Sequence, residues 1–237
     1  VWRVVPRSAA AGQRIVGTRW VSCNKGDQEH PEVRCRLVCQ EVKTYESDEF
    51  FAATAPVEML LVILSLAADD ARRQVTLVDI SRAYFNAWIQ RRVLVELPME
   101  AGLGRGVIGE MQKCMYGIRD AAQGWVQAYR RRGRASPRVF HHAARDVYLT
   151  VHGDDFFATG LPAELKWFEQ QLLAKFEGKV KGRLARPCDE LRILNRVARR
   201  TRCGYEWEAD QRHAELSINA EGLLADSRGL SAPGRKQ

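Results

Sequence analysis

The sequence predicts an α+β fold with mostly antiparallel strands. Short apolar runs are bounded by Gly, Pro, Asn or Asp, several neighbouring runs are joined by polar turns, and two longer stretches repeat apolar residues at helical spacing. With 237 residues, 46% hydrophobic and 28% charged, the chain can bury a sizeable core and is not a low-hydropathy disordered polymer.

Ile15-Val16 and Trp20-Val21 predict a strand within residues 14–23, and residues 24–27 (Asn-Lys-Gly-Asp) a turn. Residues 33–42 alternate, with Val33, Cys35, Leu37 and Cys39 on one side and Arg34, Arg36 and Gln40 on the other. That pattern predicts a half-buried strand, and together these segments form a basic hairpin. Pro56 opens a helix in which Val57, Leu60, Leu61, Leu64 and Ala68 recur at helical spacing. Residues 75–80 read as a buried strand followed by a helical stretch, and residues 93–97 as a strand stopped by Pro98. Four glycines make residues 101–109 a loop, and residues 121–132 are helical. Residues 147–151 and 156–159 flank the polar turn His152-Gly153-Asp154-Asp155 and predict a hairpin. Leu165, Phe168, Leu172 and Phe176 share a face of a helix over 161–176. Residues 191–198 and 204–208 suit another hairpin, 211–224 a helix, and 225–237 a disordered tail.

Composition narrows the partners. There are 37 basic and 29 acidic residues, a net charge of +8, which favours an acidic partner such as nucleic acid. The longest apolar run, residues 59–68, is too short to cross a bilayer, so no membrane partner is expected. The start of the chain has no charged-then-apolar leader, as expected of a soluble protein or an excerpt of a longer one. The six cysteines include no C-x-x-C pair, which argues against zinc and for reduced thiols. No repeat of solenoid period is present.

The residues that point to chemistry are acids at strand ends. Asp79 closes the apolar run 75–78, and Asp154 and Asp155 sit together in a tight turn. Adjacent carboxylates repel, so a site that keeps both ionised gains from a divalent cation. If Asp79 folds beside that turn, the three acids supply hard oxygen ligands for Mg²⁺ or Mn²⁺, and two such ions suit phosphoryl transfer. Taken singly, a Gly-Asp-Asp turn is also an ordinary turn, and a strand-end Asp an ordinary solvated acid.

Six blocks in order resemble the reverse transcriptase region of copia-type LTR retrotransposons. Val16-Gly17-Thr18-Arg19-Trp20-Val21 is similar to the family's "IGTKWV", and Arg34-Cys35-Arg36-Leu37-Val38-Cys39-Gln40 to "KARLVAKG". The stretch from Tyr45-Glu46 to Phe51-Ala52-Ala53-Thr54-Ala55-Pro56-Val57 is similar to "DYEETFAPV" with insertions. Leu77-Val78-Asp79-Ile80-Ser81-Arg82-Ala83-Tyr84-Phe85-Asn86 resembles "QLDVKTAFLNG", and residues 115–125 resemble "LYGLKQAPRAW". Val151-His152-Gly153-Asp154-Asp155 stands where the family has "YVDD".

The resemblance implies the fingers and palm of a right-hand polymerase, with an antiparallel palm sheet packed on helices. Residues 1–55 would be a fingers-like N-terminal region, 56–198 the palm with the catalytic acids and with fingers segments interleaved, and 199–237 a late hairpin, the start of a thumb and the tail. It implies an RNA-directed DNA polymerase that adds dNTP to a primer 3′-hydroxyl on an RNA or DNA template. Asp79, Asp154 and Asp155 would be the catalytic acids and the ligands of two Mg²⁺ or Mn²⁺ ions. Lys25, Arg34 and Arg36 would hold the triphosphate, since guanidinium forks match phosphate oxygens. Tyr84 would lie under the incoming sugar and exclude a 2′-hydroxyl, and Gln123 would face the nucleotide. Trp125 would be core or part of the same helix face. Arg192 and Asn195 fall where a primer-holding element would be, and the arginines of 130–134 and 199–202 would track phosphates or form solvated faces. RNase H and integrase regions would belong elsewhere in the parent polyprotein, and a cytoplasmic particle or the nucleus is the address by family analogy. The alternative within the family is an inactive nucleic-acid-binding remnant. Outside it stands an Asp-dependent phosphatase or nuclease, which predicts no basic hairpin near the acids.

Three features depart from the family. His152 and Gly153 replace the residues that normally precede the acids, and Gly153 is expected to weaken nucleotide and primer contacts. Residues 119–125 contain no Pro. The interval between Trp125 and Phe140 is shorter than in the family by roughly two to three helical turns, which is expected to expose core surface or to shift the acid hairpin.

Overall fold

A computed structural model describes residues 1–26, 29–42, 55–130, 139–208 and 211–220. The chain runs β1 (Trp2–Pro6), β2 (Ile15–Val16), β3 (Thr18–Asn24), β4 (Val33–Cys39), α1 (Glu58–Asp69), β5 (Gln74–Ile80), β6 (Leu94–Val95) and β7 (Val107–Met111). It continues through α2 (Ala121–Arg130), β8 (Val139–His142), β9 (Val147–His152), β10 (Asp155–Gly160), α3 (Pro162–Lys175) and β11 (Gly178–Leu184). The last elements are β12 (Glu190–Ile193), β13 (Arg196–Arg200), β14 (Tyr205–Trp207) and α4 (Gln211–Ala220).

The central sheet is antiparallel throughout, in the order β11-β5-β10-β9-β8. Helices cover both faces, which is why β5 reads as a nearly unbroken apolar run. Val75 and Leu77 pack with Phe157 against Leu60, Ile63, Leu64 and Ala67 of α1. Val78, Ile80 and Phe156 pack on the opposite face with Trp125 of α2 and with Leu172 and Phe176 around α3. The helix face of α1 is rotated from the predicted one: Ile63 and Ala67 are buried, whereas Leu61 is 41% exposed. A buried polar cluster pins α3 to the sheet. Thr76 donates to Glu169, whose carboxylate also accepts two hydrogen bonds from Arg183 (3.0 and 2.6 Å). α3 begins at the predicted place, with Pro162 in its first turn where the missing N–H has no partner to lose.

A second sheet, β1-β7-β6-β2, contains the one parallel pairing among the described strands, β2 with β6. Here the structure corrects the sequence reading. β1 was not expected, and the 101–109 loop ends early because Gly109 lies inside β7. A Cβ at Gly109 would stand 2.8 Å from Leu97 Cδ2, so the strand needs the glycine for its close neighbour rather than for a turn. The helical stretch expected after β5 is a single 3₁₀ turn, Ala83–Asn86, entered through Arg82 at φ 52°. β12, β13 and β14 form a three-stranded sheet where a hairpin was expected. Arg200 ties it to the start of β5 by donating to the carbonyls of Arg73 and Ala71 (2.7 and 2.6 Å). Arg199 pairs with Glu190 and Glu208, so these two arginines of the 199–202 cluster have structural partners.

β3 and β4 pair only with each other and form an arm. The half-buried alternation expected of β4 is not found: Val33, Arg34, Cys35 and Arg36 are all exposed, and only Cys39 at its end is buried. A two-stranded ribbon has no layer to pack on until it reaches its base. There Cys39 N–H donates to Tyr116 O (2.8 Å), and Gly117 approaches so closely that a Cβ would lie 1.8 Å from Cys39 O. Gly117 also sits at φ +82°, a conformation that only glycine adopts freely. Arg91 clamps the same base by bonding Glu41 (2.7 and 2.6 Å) and Asp120 (2.8 Å). Asp27 of the predicted turn, most of the block from Tyr45 to Val57, residues 131–138 and the tail lie outside the described residues. At the turn itself, Asn24 Oδ1 accepts from the N–H groups of Gly26 and Glu32.

Candidate active site

Asp79 is the last polar position of β5 and Asp155 the first residue of β10, and the two are direct cross-strand partners. Successive side chains alternate across a sheet, so directly opposed residues share a face. Asp79 and Asp155 therefore project from the face that carries Leu77 and Phe157, beyond the end of that apolar layer. Asp154 is in the connecting turn, and its carbonyl accepts the N–H of Ile80 (2.9 Å). The three acids, distant in sequence, converge at one end of the central sheet.

Local structure accounts for the convergence. His152 pairs with Asp155 across a two-residue turn. Gly153 takes φ +64° at its first central position, where a type II′ hairpin turn requires glycine. Its carbonyl accepts the indole N–H of Trp125 (2.8 Å), a residue only 2% exposed. His152 Nδ1 bonds Ala55 O (2.8 Å) on the other side. The turn is thus held by α2 and by the segment leading into α1. The glycine that departs from the family pattern takes the positive φ of the turn without the penalty of a Cβ, and Trp125 is a core residue that positions it.

Sequence reasoning missed Lys181. Its ammonium lies 2.7 Å from Asp79 Oδ1 and 2.9 Å from Asp155 Oδ1. The pairing of β11 with β5 shifts register between Val180 and Gly182, so Lys181 is the extra residue of a β-bulge. Bulges re-aim side chains, and no sequence periodicity reveals this one. Burial raises the Asp155 carboxyl above its ordinary range; Lys181 opposes that shift, while Asp154 and Asp79 add to it. For Lys181, burial alone would lower the pKa, but its bonds to Asp79 and Asp155 raise it.

A cavity of about 540 Å³ opens against the acids. Asp79 and Asp154 line it from the sheet, Arg34 and Arg36 from the arm, and Phe85 and Tyr116 between them. The Arg36 guanidinium stands 5.5 Å from the Tyr116 ring centroid, and Arg34 is paired with Glu32 (2.7 Å). Tyr84 packs edge-on against Tyr116 (5.0 Å between centroids). Burial first, and then the charge of Asp154, raise the pKa of both phenols. The structure thus brings Asp79, Asp154, Asp155, Arg34, Arg36 and Tyr84 into one neighbourhood. Lys25 sits at the far end of the arm and Gln123 lines a separate cavity with Trp88 and Gln127, so neither borders the acid cavity.

A basic hairpin across a cavity from paired acids is what the phosphatase or nuclease alternative did not predict. A family model for reverse transcriptase (RNA-dependent DNA polymerase) matches residues 1–185. The chain belongs to the copia-type reverse transcriptase family. The match takes in all three acids, the arm and Lys181, and ends just after β11. This reverse transcriptase domain is by family an RNA-directed DNA polymerase, a nucleotidyltransferase whose substrates are a primed nucleic-acid template and dNTPs. No helix among the described residues is long and apolar enough to cross a membrane.

Among the described residues, no three His, Cys, Asp or Glu side chains are grouped as a ready metal cage. The donor chemistry nonetheless fits a divalent cation. Two carboxylates already share one cationic group, the Lys181 ammonium, and both offer the hard oxygens that Mg²⁺ and Mn²⁺ take. Lys181 neutralises both carboxylates, and its side chain is 35% exposed on a flexible stem.

Proposed function

We propose that this domain synthesises DNA by adding dNTPs to a primer 3′-hydroxyl at the Asp79, Asp154 and Asp155 cluster. One observation carries the reading: Asp79, the direct cross-strand partner of Asp155, and Asp154 border the same cavity as the arginines of the arm. Asp79, Asp154 and Asp155 would hold the metal. Two Mg²⁺ or Mn²⁺ ions bound there supply acidification of a hydroxyl and neutralisation of charge on the phosphoryl group in transfer. Arg34 and Arg36 face that charge from the opposite wall and present guanidinium forks to a triphosphate. Lys25, farther along the arm, adds long-range attraction. Tyr84 and Phe85, braced by Tyr116, form the apolar side against which a nucleoside sugar would rest. Gln123 has no part in holding the nucleotide in this reading, because it lines another cavity.

The same reading assigns the arm and the rest of residues 1–55 to the fingers, residues 56–198 to the palm with the central sheet at its centre, and 199–237 to the late palm and the start of a thumb. Primer extension on an RNA template with Mg²⁺ or Mn²⁺ tests it. Wild type should extend the primer, and Asp154→Asn should lose on the order of a hundredfold or more. Equal incorporation by the two proteins would overturn the assignment of the chemistry to this cluster, and none by wild type would favour the inactive-remnant reading.

A further inference from the structure

A second surface, distinct from the acid cavity, has a different composition. Trp88 is 60% exposed, although it follows a buried Ala87 and lies on backbone held from both sides. Cys114 N–H donates to Ala87 O (2.9 Å), Ile89 N–H donates to Gln112 O (3.1 Å), and Trp88 itself bridges Lys113. The Lys113 ammonium stands 3.6 Å from the Trp88 ring centroid. Beside the ring is a recess of about 250 Å³ bordered by Gln90, Gln123 and Gln127, with the Arg91–Asp120 ion pair (2.8 Å) on its wall. The recess is smaller than the roughly 300–1,000 Å³ sites that enclose drug-sized ligands. It suits one planar group.

An exposed tryptophan on rigid backbone loses little conformational freedom when a flat partner stacks on it. Its ring is already polarised by a cation whose charge is available to a phosphate alongside. Three carboxamides offer both donors and acceptors, and so accept the edge of any base rather than select one. Short chain segments join the two places: Lys113 lies three residues before Tyr116, and Trp88 three residues after Phe85, and Tyr116 and Phe85 line the acid cavity. The net charge of +8 supplies the complementary field.

We propose that Trp88 and Lys113, with Gln90, Gln123 and Gln127, form a stacking platform for an unpaired base of a single nucleic-acid strand. This deepens the polymerase reading, on which it rests for the presence of a polynucleotide in the neighbouring cleft. The platform needs neither metal nor dNTP, so binding alone tests it. Fluorescence anisotropy of labelled oligo(dT) and of a duplex of equal length, measured on the full chain in EDTA at fixed salt, separates base stacking from general charge attraction. Trp88→Ala should weaken single-strand binding roughly tenfold while leaving duplex binding unchanged. Trp88→Phe should keep most of the affinity. Lys113→Met should weaken binding and reduce the salt slope by about 0.7. Circular dichroism shows that each variant is folded. Single-strand affinity unchanged in Trp88→Ala would overturn the proposal, as would equal losses on single strand and duplex. Either result would favour a protein partner for the exposed ring and leave the polymerase reading standing.

Discussion

The acid hairpin β9–β10 and the basic arm β3–β4 are both two-residue-periodic antiparallel pairs, yet they are built on opposite principles. The acid hairpin lies in the middle of a five-stranded sheet, with apolar layers on both faces and its turn held through Trp125 and His152. The arm is a lone ribbon with mostly exposed side chains on both faces, held at its base by Cys39, Glu41, Tyr116 and Gly117 and by Thr18 donating to Glu96 O, with Trp20 hydrogen-bonded to Glu100. Carboxylates that must hold a cation require fixed positions, which a packed sheet supplies. Charges that meet a diffusing polyphosphate require access, which a solvated arm supplies. The difference separates residues whose substitution unfolds the domain from those whose substitution changes only what it binds.

The largest effect is expected at the packed end. Trp125→Ala removes a fully buried indole and the donor to Gly153 O, and should lower stability by about 3–5 kcal/mol in urea unfolding. Trp20→Ala on the arm, where the residue is 48% exposed and hydrogen-bonded to Glu100, should cost about 1 kcal/mol. Comparable losses at the two positions would erase the contrast. Gly117→Ala should come next. It forces a Cβ against Cys39 O at a left-handed φ and should lower stability by about 2 kcal/mol or more, showing that the arm's anchorage lies at its base.

The base also makes the arm's attachment dependent on pH. Burial alone would raise the pKa of Glu41, but hydrogen bonds from the Arg91 guanidinium and the Arg119 N–H outweigh it and hold the carboxyl below its ordinary value. A depressed carboxylate stabilises the fold above its unfolded pKa, near 4.3, and that contribution is lost as pH falls through the folded value. The stability gap between wild type and Glu41→Gln should therefore be largest near neutrality and should narrow below about pH 4. A gap that stays constant across that range would separate Glu41 from the arm's stability. The smallest effect is expected at the exposed Arg34–Glu32 pair, where Glu32→Ala should change stability by less than about 0.5 kcal/mol.

Legibility in the sequence follows the same division. The acid strand and its hairpin could be read as short apolar runs bounded by polar turns, and α1 and α3 from apolar residues at helical spacing, although the buried face of α1 is rotated from the predicted one. Arm strand β4 also alternates, and from alternation alone it was expected to be half-buried. Nothing in the sequence says that no second layer faces it. β11 escaped notice because its edge position leaves Lys179, Val180 and Lys181 exposed to varying degrees, and the bulge that turns Lys181 onto the acids breaks the period that would have placed it. β7 was hidden by Gly109, which reads as a loop residue and serves as a spacer for Leu97. Gly153 read as a defect relative to the family, and its positive φ makes it the residue the turn needs. Thiol placement was simple: burial pushes Cys39 up to about 12 and Cys114 up to about 11, so both remain protonated near neutrality. An apolar cavity of about 320 Å³ is lined by Tyr129, Phe140, Phe168 and Phe176; residues 131–138 lie outside the described chain.

Manganese binding followed by electron paramagnetic resonance tests the assignment of the acids most directly, because it reads the carboxylates without primer, template or nucleotide. The wild-type domain should take up Mn²⁺ and release it to excess Mg²⁺, the double variant Asp79→Asn, Asp155→Asn should lose that uptake while remaining folded, and Lys181→Met should bind at least as tightly as wild type. Mn²⁺ uptake that is unchanged in the double variant would contradict the account.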